Sequence, residues 1–303
     1  MTPQAYCRQQ AAQSGSSFYY SFLFLPPTQR DTIMALYAFC RAVDDVVDNA
    51  TDPSIAATKL NWWRAEVGRV FAGDSANPPS HPIALALQAQ VQAFGIKETE
   101  LLEIIAGMEM DLHQARYVDD EALSVYCWRV AGVVGVLSAR IFSGYSVSMS
   151  SSEKDALHTY ATHMGQALQR INIIRDVGED ALRGRVYLPQ SLLVAHGLTH
   201  QDVLARKPSA ALNSVLKNSA QMAREHLRLA LDALPKSQVR AQRSGLIMAR
   251  VYASLLLEIE GSDFAVLNQR ISLTPVRKLL LAWKTWVAPQ AAMRALHTLA
   301  RAN

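Results

Sequence analysis

Asn172, Asp176 and Asp180 follow one another at intervals of four within residues 165–189, G-Q-A-L-Q-R-I-N-I-I-R-D-V-G-E-D-A-L-R-G-R-V-Y-L-P. On a helix turning about 100° per residue, each lies about 40° further round than the last, and Gln169, Arg175 and Glu179 fall inside the same arc. One helix face therefore carries carboxylates, amides and a guanidinium together. Ile171, Ile173, Ile174 and Val177 crowd the remaining surface with β-branched apolar groups, so the pattern predicts a helix packed inside protein. Carboxylates at that density beside apolar packing need partners, and a hard divalent cation is the simplest one. Gly178 costs a helix about 1 kcal/mol relative to Ala, which implies a packing or functional reason for it. Arg183-Gly184-Arg185 reads as the helix stop, with Pro189 closing the exit.

A second acidic helix precedes the first. Ile33, Leu36, Tyr37, Cys40, Val43 and Val47 repeat at helical spacing, and the same helix carries Arg41, Asp44, Asp45 and Asp48. D-D-x-x-D alone is usually a solvated face. Two such clusters, each with an apolar companion stripe and an Arg in the same turn, point instead to several Mg²⁺ ions gripping a diphosphate between them. Mg²⁺ is commonly held by one or two protein carboxylates plus substrate phosphate oxygens. Arg41 and Arg175 would complete the neutralisation. Asp111 reads equally as a third acid in that cavity or as a surface carboxylate.

The elements that must position these groups are all helical. Half of the 303 residues are apolar and the formal net charge is +4. That composition is globular, and it allows a large core in one all-α domain over residues 1–303. Helical periodicity also covers 57–72, 83–94, 97–117, 211–234 and 245–260; Thr28 and Asp31 resemble a capping box at the start of the first acidic helix. Residues 123–142 are apolar almost all round and predict a central helix, with Ala131, Gly132, Gly135 and Ser138 leaving room for a neighbouring helix or a long apolar ligand. Residues 274–287 mix Arg277, Lys278 and Lys284 with Leu279, Leu280, Leu281, Trp283 and Trp286, which reads as helix packing or as peripheral contact with the inner face of a membrane. The basic residues are otherwise dispersed and no nucleic-acid motif accompanies them, so no nucleic-acid partner is expected. Three scattered cysteines, no basic-then-apolar leader at the N-terminus and no run of about eighteen apolar residues place the expected location in the cytoplasm.

R-A-V-D-D-V-V-D (41–48), N-I-I-R-D-V-G-E-D (172–180) and R-G-R-V-Y-L-P (183–189) resemble the two aspartate-rich motifs of the squalene and phytoene synthases. G-S-S-F-Y-Y-S-F-L-F-L-P, A-L-Y-A-F-C-R, G-M-E-M-D-L, Y-C-W-R-V-A-G-V-V-G and L-N-Q-R-I-S-L-T-P-V-R-K-L extend the resemblance over nearly the whole chain. Within the family these strings are most similar to the presqualene diphosphate synthase branch of bacterial hopanoid biosynthesis. The resemblance implies the isoprenoid synthase fold, a helical bundle around a deep central cavity. It implies that Asp44, Asp48, Asp176 and Asp180 hold Mg²⁺ on the diphosphates, with Asn172 and Gln169 alongside. It further implies that Ser17, Arg41, Arg175, Tyr252 and Arg270 contact diphosphate oxygens, and that Phe18, Tyr126, Val130 and Ala131 line the apolar part. Arg170-Ile171 stands where the family commonly has Leu-Thr, so Arg170 either faces outward or alters the cavity wall.

The reaction so implied joins two farnesyl diphosphates head to head as presqualene diphosphate, without NADPH; Tyr252 or the departed diphosphate takes the final proton. Phytoene, dehydrosqualene or squalene synthesis is the sibling alternative. A non-catalytic helical assembly factor is the alternative from another class.

Overall fold

The structure, a computed structural model, describes residues 1–13, 17–50, 52–73, 76–113, 116–144 and 149–301, with Ser17, Phe18 and Tyr20 described by their backbone alone. The contacts expected of the Ser17 and Phe18 side chains therefore lie outside what is described. Among the described residues six helices come first: α1 (Pro3–Gln13), α2 (Ser17–Phe22), α3 (Pro27–Asp48), α4 (Pro53–Ala72), α5 (Pro82–Gln88) and α6 (Glu98–His113). A continuous rod follows, α7 (Asp120–Cys127) and α8 (Val133–Phe142), joined by a π-helical turn at Trp128–Gly132. Then come the long α9 (Ser151–Leu182), the short α10 (Gln190–Ala195) and α11 (His200–Leu204), α12 (Ala210–Ala233), α13 (Arg243–Gly261), α14 (Pro275–Val287) and α15 (Pro289–Arg301). Among the described residues the extended structure is a single parallel bridge, Arg116 to Val186.

The helix starts follow from local chemistry. Proline at the first helical position opens α3, α4, α5 and α14, where its missing N–H is no loss. Ser150 and Glu153 close a capping box on α9. The box expected from Thr28 and Asp31 does not form: α3 begins at Pro27, which places Thr28 inside the first turn, and Asp31 pairs instead with Arg8 at 3.3 Å. The helix expected over 83–94 stops at Gln88, and the chain turns through residues 89–95 to Gly95 at φ +58°. The helix expected over 97–117 is described as far as His113, and by residues 116–118 the chain is extended and pairs with the exit from α9. There the Gln190 and Ser191 amides donate to the Tyr117 and Val118 carbonyls at 2.9 and 3.0 Å.

Two hydrophobic cores flank the α7–α8 rod. Val133, Leu137 and Ile141 join the core built by α1–α6; Val136 and Ala139, on the other side of α8, join the core of α9 and α12–α15. The stretch Asp120–Phe142 is long and apolar enough, by length and composition, to cross a membrane, which corrects the expectation that no such run exists. It is the partition between two cores, which accounts for apolar groups on nearly every side. Small residues let its backbone meet α9: a Cβ on Gly165 would stand 2.4 Å from the Ala131 carbonyl oxygen, and one on Gly135 would stand 2.6 Å from that of Ala161.

Gly178 has the packing reason its position implied. A Cβ there would lie 2.2 Å from the Leu267 carbonyl oxygen, so the segment leading to α14 rests directly on the acidic helix. Gly178→Ala is expected to push that segment outward and to lower stability by about 1–3 kcal/mol, the usual range for overpacking. Thermal unfolding measures the loss, and increased proteolysis between residues 262 and 274 locates it.

Candidate active site

α3 and α9 carry the chemistry in the same sense along one cavity of about 830 Å³. On α3 the lining changes from Ile33, Leu36, Tyr37 and Cys40 to Arg41, Asp44 and Asp48; on α9 it changes from Ala161, Met164 and Leu168 to Asn172, Asp176 and Asp180. The cavity is thus apolar where both helices begin and polar where they end. At 1.5 Å rise per residue, Ile33 to Asp44 covers about 16 Å and Tyr160 to Asp176 about 24 Å. Neither helix has a basic residue in its last turn, so both turn the negative ends of their dipoles, together with carboxylates, toward one mouth.

Guanidinium groups hold these acids. Arg41 reaches Asp44 at 2.9 Å and Asp45 at 2.8 Å. Arg175 grips Asp176 through Nε at 2.7 Å and Nη2 at 2.5 Å, and Arg270 approaches Asp176 and Glu179 at 3.4 Å. Asp48 receives Arg185 at 2.9 Å and Arg183 at 3.5 Å, which ties the exit of α9 to the end of α3. The parallel bridge sets Tyr187 beside Asp111, whose two oxygens accept from the Tyr187 hydroxyl at 2.8 Å and the Tyr126 hydroxyl at 3.0 Å. Tyr117, Tyr126 and Tyr187 stack around that carboxylate with ring centroids 5.1–5.8 Å apart.

The neutralisation is incomplete. Burial, then the Asp48 charge, raise Asp44 to about 6. Burial, then Asp176 and Asp111, raise Asp180 to about 7. Asp111 rises to about 6, chiefly by burial, although Tyr187, Arg185 and Tyr126 all favour its anion. Asp111 repels acids on both α3 and α9, so it stands between the two clusters. Among the described residues no three His, Cys, Asp or Glu side chains converge as a ready-made metal cage. What is present is pairs of carboxylates one turn apart, helix C-termini, and the buried Oδ1 of Asn172 without a hydrogen-bond partner. That set fits hard cations sharing their coordination with a substrate's oxygens, and does not fit a closed structural metal site.

The cavity lining brings together Arg41, Asp44, Asp48, Tyr126, Val130, Ala131, Gln169, Asn172, Arg175, Asp176, Asp180, Tyr252 and Arg270, all singled out from the sequence. Tyr252 is buried, its hydroxyl lies against Asn172 and Arg175, and burial raises its pKa. The small residues of the central rod serve both uses open to them: Ala131, Gly135 and Ser138 line the cavity, while Gly135 also touches α9. Arg183, Arg185, Tyr187 and Lys278 also line the cavity and were not among the expected site residues, although the first three lie in R-G-R-V-Y-L-P. Asp111 is the third acid. Arg170 lies outside the cavity lining, but it is buried and not in solvent, held by Asp120 at 2.6 and 2.9 Å and by Ser124 at 2.9 Å.

Comparison with known proteins agrees with this geometry. The family model of squalene/phytoene synthases matches residues 11–277. The presqualene diphosphate synthase of Rhodopseudomonas palustris is 34% identical over 281 residues, 92% of this chain and 96% of that protein. The chloroplastic phytoene synthase of Narcissus pseudonarcissus is 31% identical over 273 residues, 90% of this chain, which spans only 63% of that longer protein. The crystal structure of a dehydrosqualene synthase in complex with a ligand superposes with a TM-score of 0.81 at 21% identity, covering 97% of each chain; the fold is that of the isoprenoid synthases.

A carboxyl whose pKa is higher folded than unfolded binds its proton more tightly in the folded state. Its stabilising effect is complete below the unfolded value of 3.8 and is lost as pH rises through about 6–7. In EDTA, the melting temperature is therefore expected to fall between pH 5 and pH 8. Asp180→Asn should flatten that fall and raise the melting temperature at pH 8, by roughly 2–4 °C for each kcal/mol of repulsion relieved. Arg170→Leu, which leaves the cavity lining intact, should keep kcat/KM within about threefold while lowering stability, because the hydrogen bonds that tie α9 to Asp120 and Ser124 are lost; steady-state kinetics and thermal melts separate the two effects.

Proposed function

The chain belongs to the squalene/phytoene synthase family of prenyltransferase-type enzymes, and we propose that it joins two farnesyl diphosphates head to head into presqualene diphosphate, for squalene and hopanoid biosynthesis. The observation that carries the reading is the match between cavity and substrate in both polarity and depth. The twelve-carbon backbone of a farnesyl group, with bonds of about 1.5 Å at tetrahedral angles, extends to roughly 14 Å. The apolar run along α3 allows about 16 Å before Asp44. Relatedness over nearly the full length of a presqualene diphosphate synthase supports the same choice.

In this reading Arg41, Arg175 and Arg270 turn from Asp44 and Asp176 toward diphosphate oxygens, and Asp44, Asp48, Asn172, Asp176 and Asp180 would hold Mg²⁺. When bound, Mg²⁺ supplies Lewis-acid stabilisation of the leaving diphosphate. The allylic C1–O bond breaks with its electron pair going to the diphosphate, and the double bond of the second farnesyl group attacks C1. Leu36, Met164 and Leu168 shield the cation from water. Loss of one proton closes the cyclopropane. Burial keeps the Tyr252 phenol protonated, which suits a hydrogen-bond donor to diphosphate and leaves the departed diphosphate as the proton acceptor. The reading includes a cytoplasmic location, supported by three cysteines that form no disulfide.

A second reading, phytoene synthesis from geranylgeranyl diphosphate, is favoured by the phytoene synthases at 31% identity and by the longer run along α9. Purified protein incubated with farnesyl diphosphate and Mg²⁺, without NADPH, should yield presqualene diphosphate by mass spectrometry. Asp176→Ala should lower turnover at least about 100-fold, the order seen when one stabilising group is removed. Phytoene from geranylgeranyl diphosphate with farnesyl diphosphate untouched would establish the second reading. No Mg²⁺-dependent diphosphate release from either substrate would point to a helical scaffold.

A further inference from the structure

We propose that the outward face of α14 docks the protein onto an anionic phospholipid surface. Val276, Leu279, Leu280, Trp283 and Val287 recur at intervals of three and four, so they share one stripe about 100° wide. All five are exposed, from 47% for Leu280 to 77% for Val276. The inward side of the helix is already in use: Ala282 and Thr285 are buried, and Trp286 stacks on Phe24 with ring centroids 5.2 Å apart while Arg243 lies 3.6 Å over its ring. Leu23, next to Phe24, is also exposed, and it extends the apolar surface beyond the helix. An apolar stripe of this kind on a helix whose other side is anchored is built for a partner.

Charge selects the partner. Asp263 is the last acidic residue of the sequence; the forty residues after it carry Arg270, Arg277, Lys278, Lys284, Arg294 and Arg301 against no carboxylate side chain. By helical position the exposed Lys284 and Arg277, the latter paired with Glu258, border the stripe on one side, and Arg294 and Arg301 on α15 are also exposed. Large apolar side chains bordered by basic groups on a helix are the pattern that lies in a bilayer interface and is attracted by anionic headgroups. A second copy of the chain fits less well, because a two-fold contact through this stripe would set the same basic border against itself. The docked face adjoins the cavity: Lys278 and the preceding Ile271, Ser272 and Leu273 line it.

Flotation with phosphatidylcholine vesicles containing 30% phosphatidylglycerol, and with pure phosphatidylcholine vesicles, tests the surface without any turnover, so its outcome is separate from that of the proposed reaction. The expected result is binding to the anionic vesicles that weakens as salt rises, with a blue shift of tryptophan emission. Leu280→Ser with Trp283→Ser, and separately Lys284→Glu, should each weaken partitioning roughly tenfold or more while leaving turnover on detergent-dispersed substrate unchanged. Circular dichroism checks that both variants remain folded. Equal binding by wild type and both folded variants, no binding to anionic vesicles, or a dimer in light scattering that Leu280→Ser with Trp283→Ser dissociates, would overturn the proposal.

Discussion

The burial of carboxylates beside one another is the constraint around which this structure is arranged. Asp44, Asp111 and Asp180 are raised to about 6–7 first by burial and then by neighbouring carboxylates, so the protein holds them together at a cost. They stay because the helices carrying them are secured by their other faces. α3 is packed into one core through Ala35, Phe39 and Val43, and α9 into the other through Ile171, Ile174 and Val177. Repulsion that packing prevents from relaxing is a standing affinity for cations, and the two helix C-termini add to it.

The arginines then serve as provisional counterions. Arg41, Arg175, Arg183, Arg185 and Arg270 lie within 2.5–3.5 Å of carboxylates from α3 and α9. If metal ions take over those carboxylates, the same guanidiniums are free to meet phosphate oxygens, for which their planar donors are well matched. One set of side chains can thus serve both the carboxylates and the diphosphate. The apolar depth depends on a separate device. Glycines at 135 and 165 bring the α7–α8 rod and α9 into backbone contact, which leaves the volume between them and α3 for hydrocarbon.

Most of the site was legible in the sequence because helical periodicity is a local rule. Asp44 with Asp48, and Asn172 with Asp176 and Asp180, share a face by spacing alone, and the apolar stripes beside them announce burial. The strings resembling squalene and phytoene synthases extended this to Arg270 and Tyr252, which are distant in sequence from both clusters. Roles that depend on non-local contacts were not legible. Asp111 was ambiguous because its partners are Tyr126 and Tyr187, the latter 76 residues away. Arg170 was open between an outward-facing side chain and an altered cavity wall, because its bidentate partner Asp120 lies 50 residues away in the chain.

The sequence by itself determined the all-helical class, the two acidic helices, the central apolar rod and the reason to expect a glycine contact at Gly178; each follows from the period of a helix and the size of a side chain. Only the tertiary structure decided that both acidic helices end at the same mouth and that Asp111 stands between them. It alone showed that R-G-R-V-Y-L-P crosses from one to the other, and that the stripe on α14 faces outward. Those are relations between segments far apart in the chain, and they are set by which faces the two cores bury, which no local periodicity records.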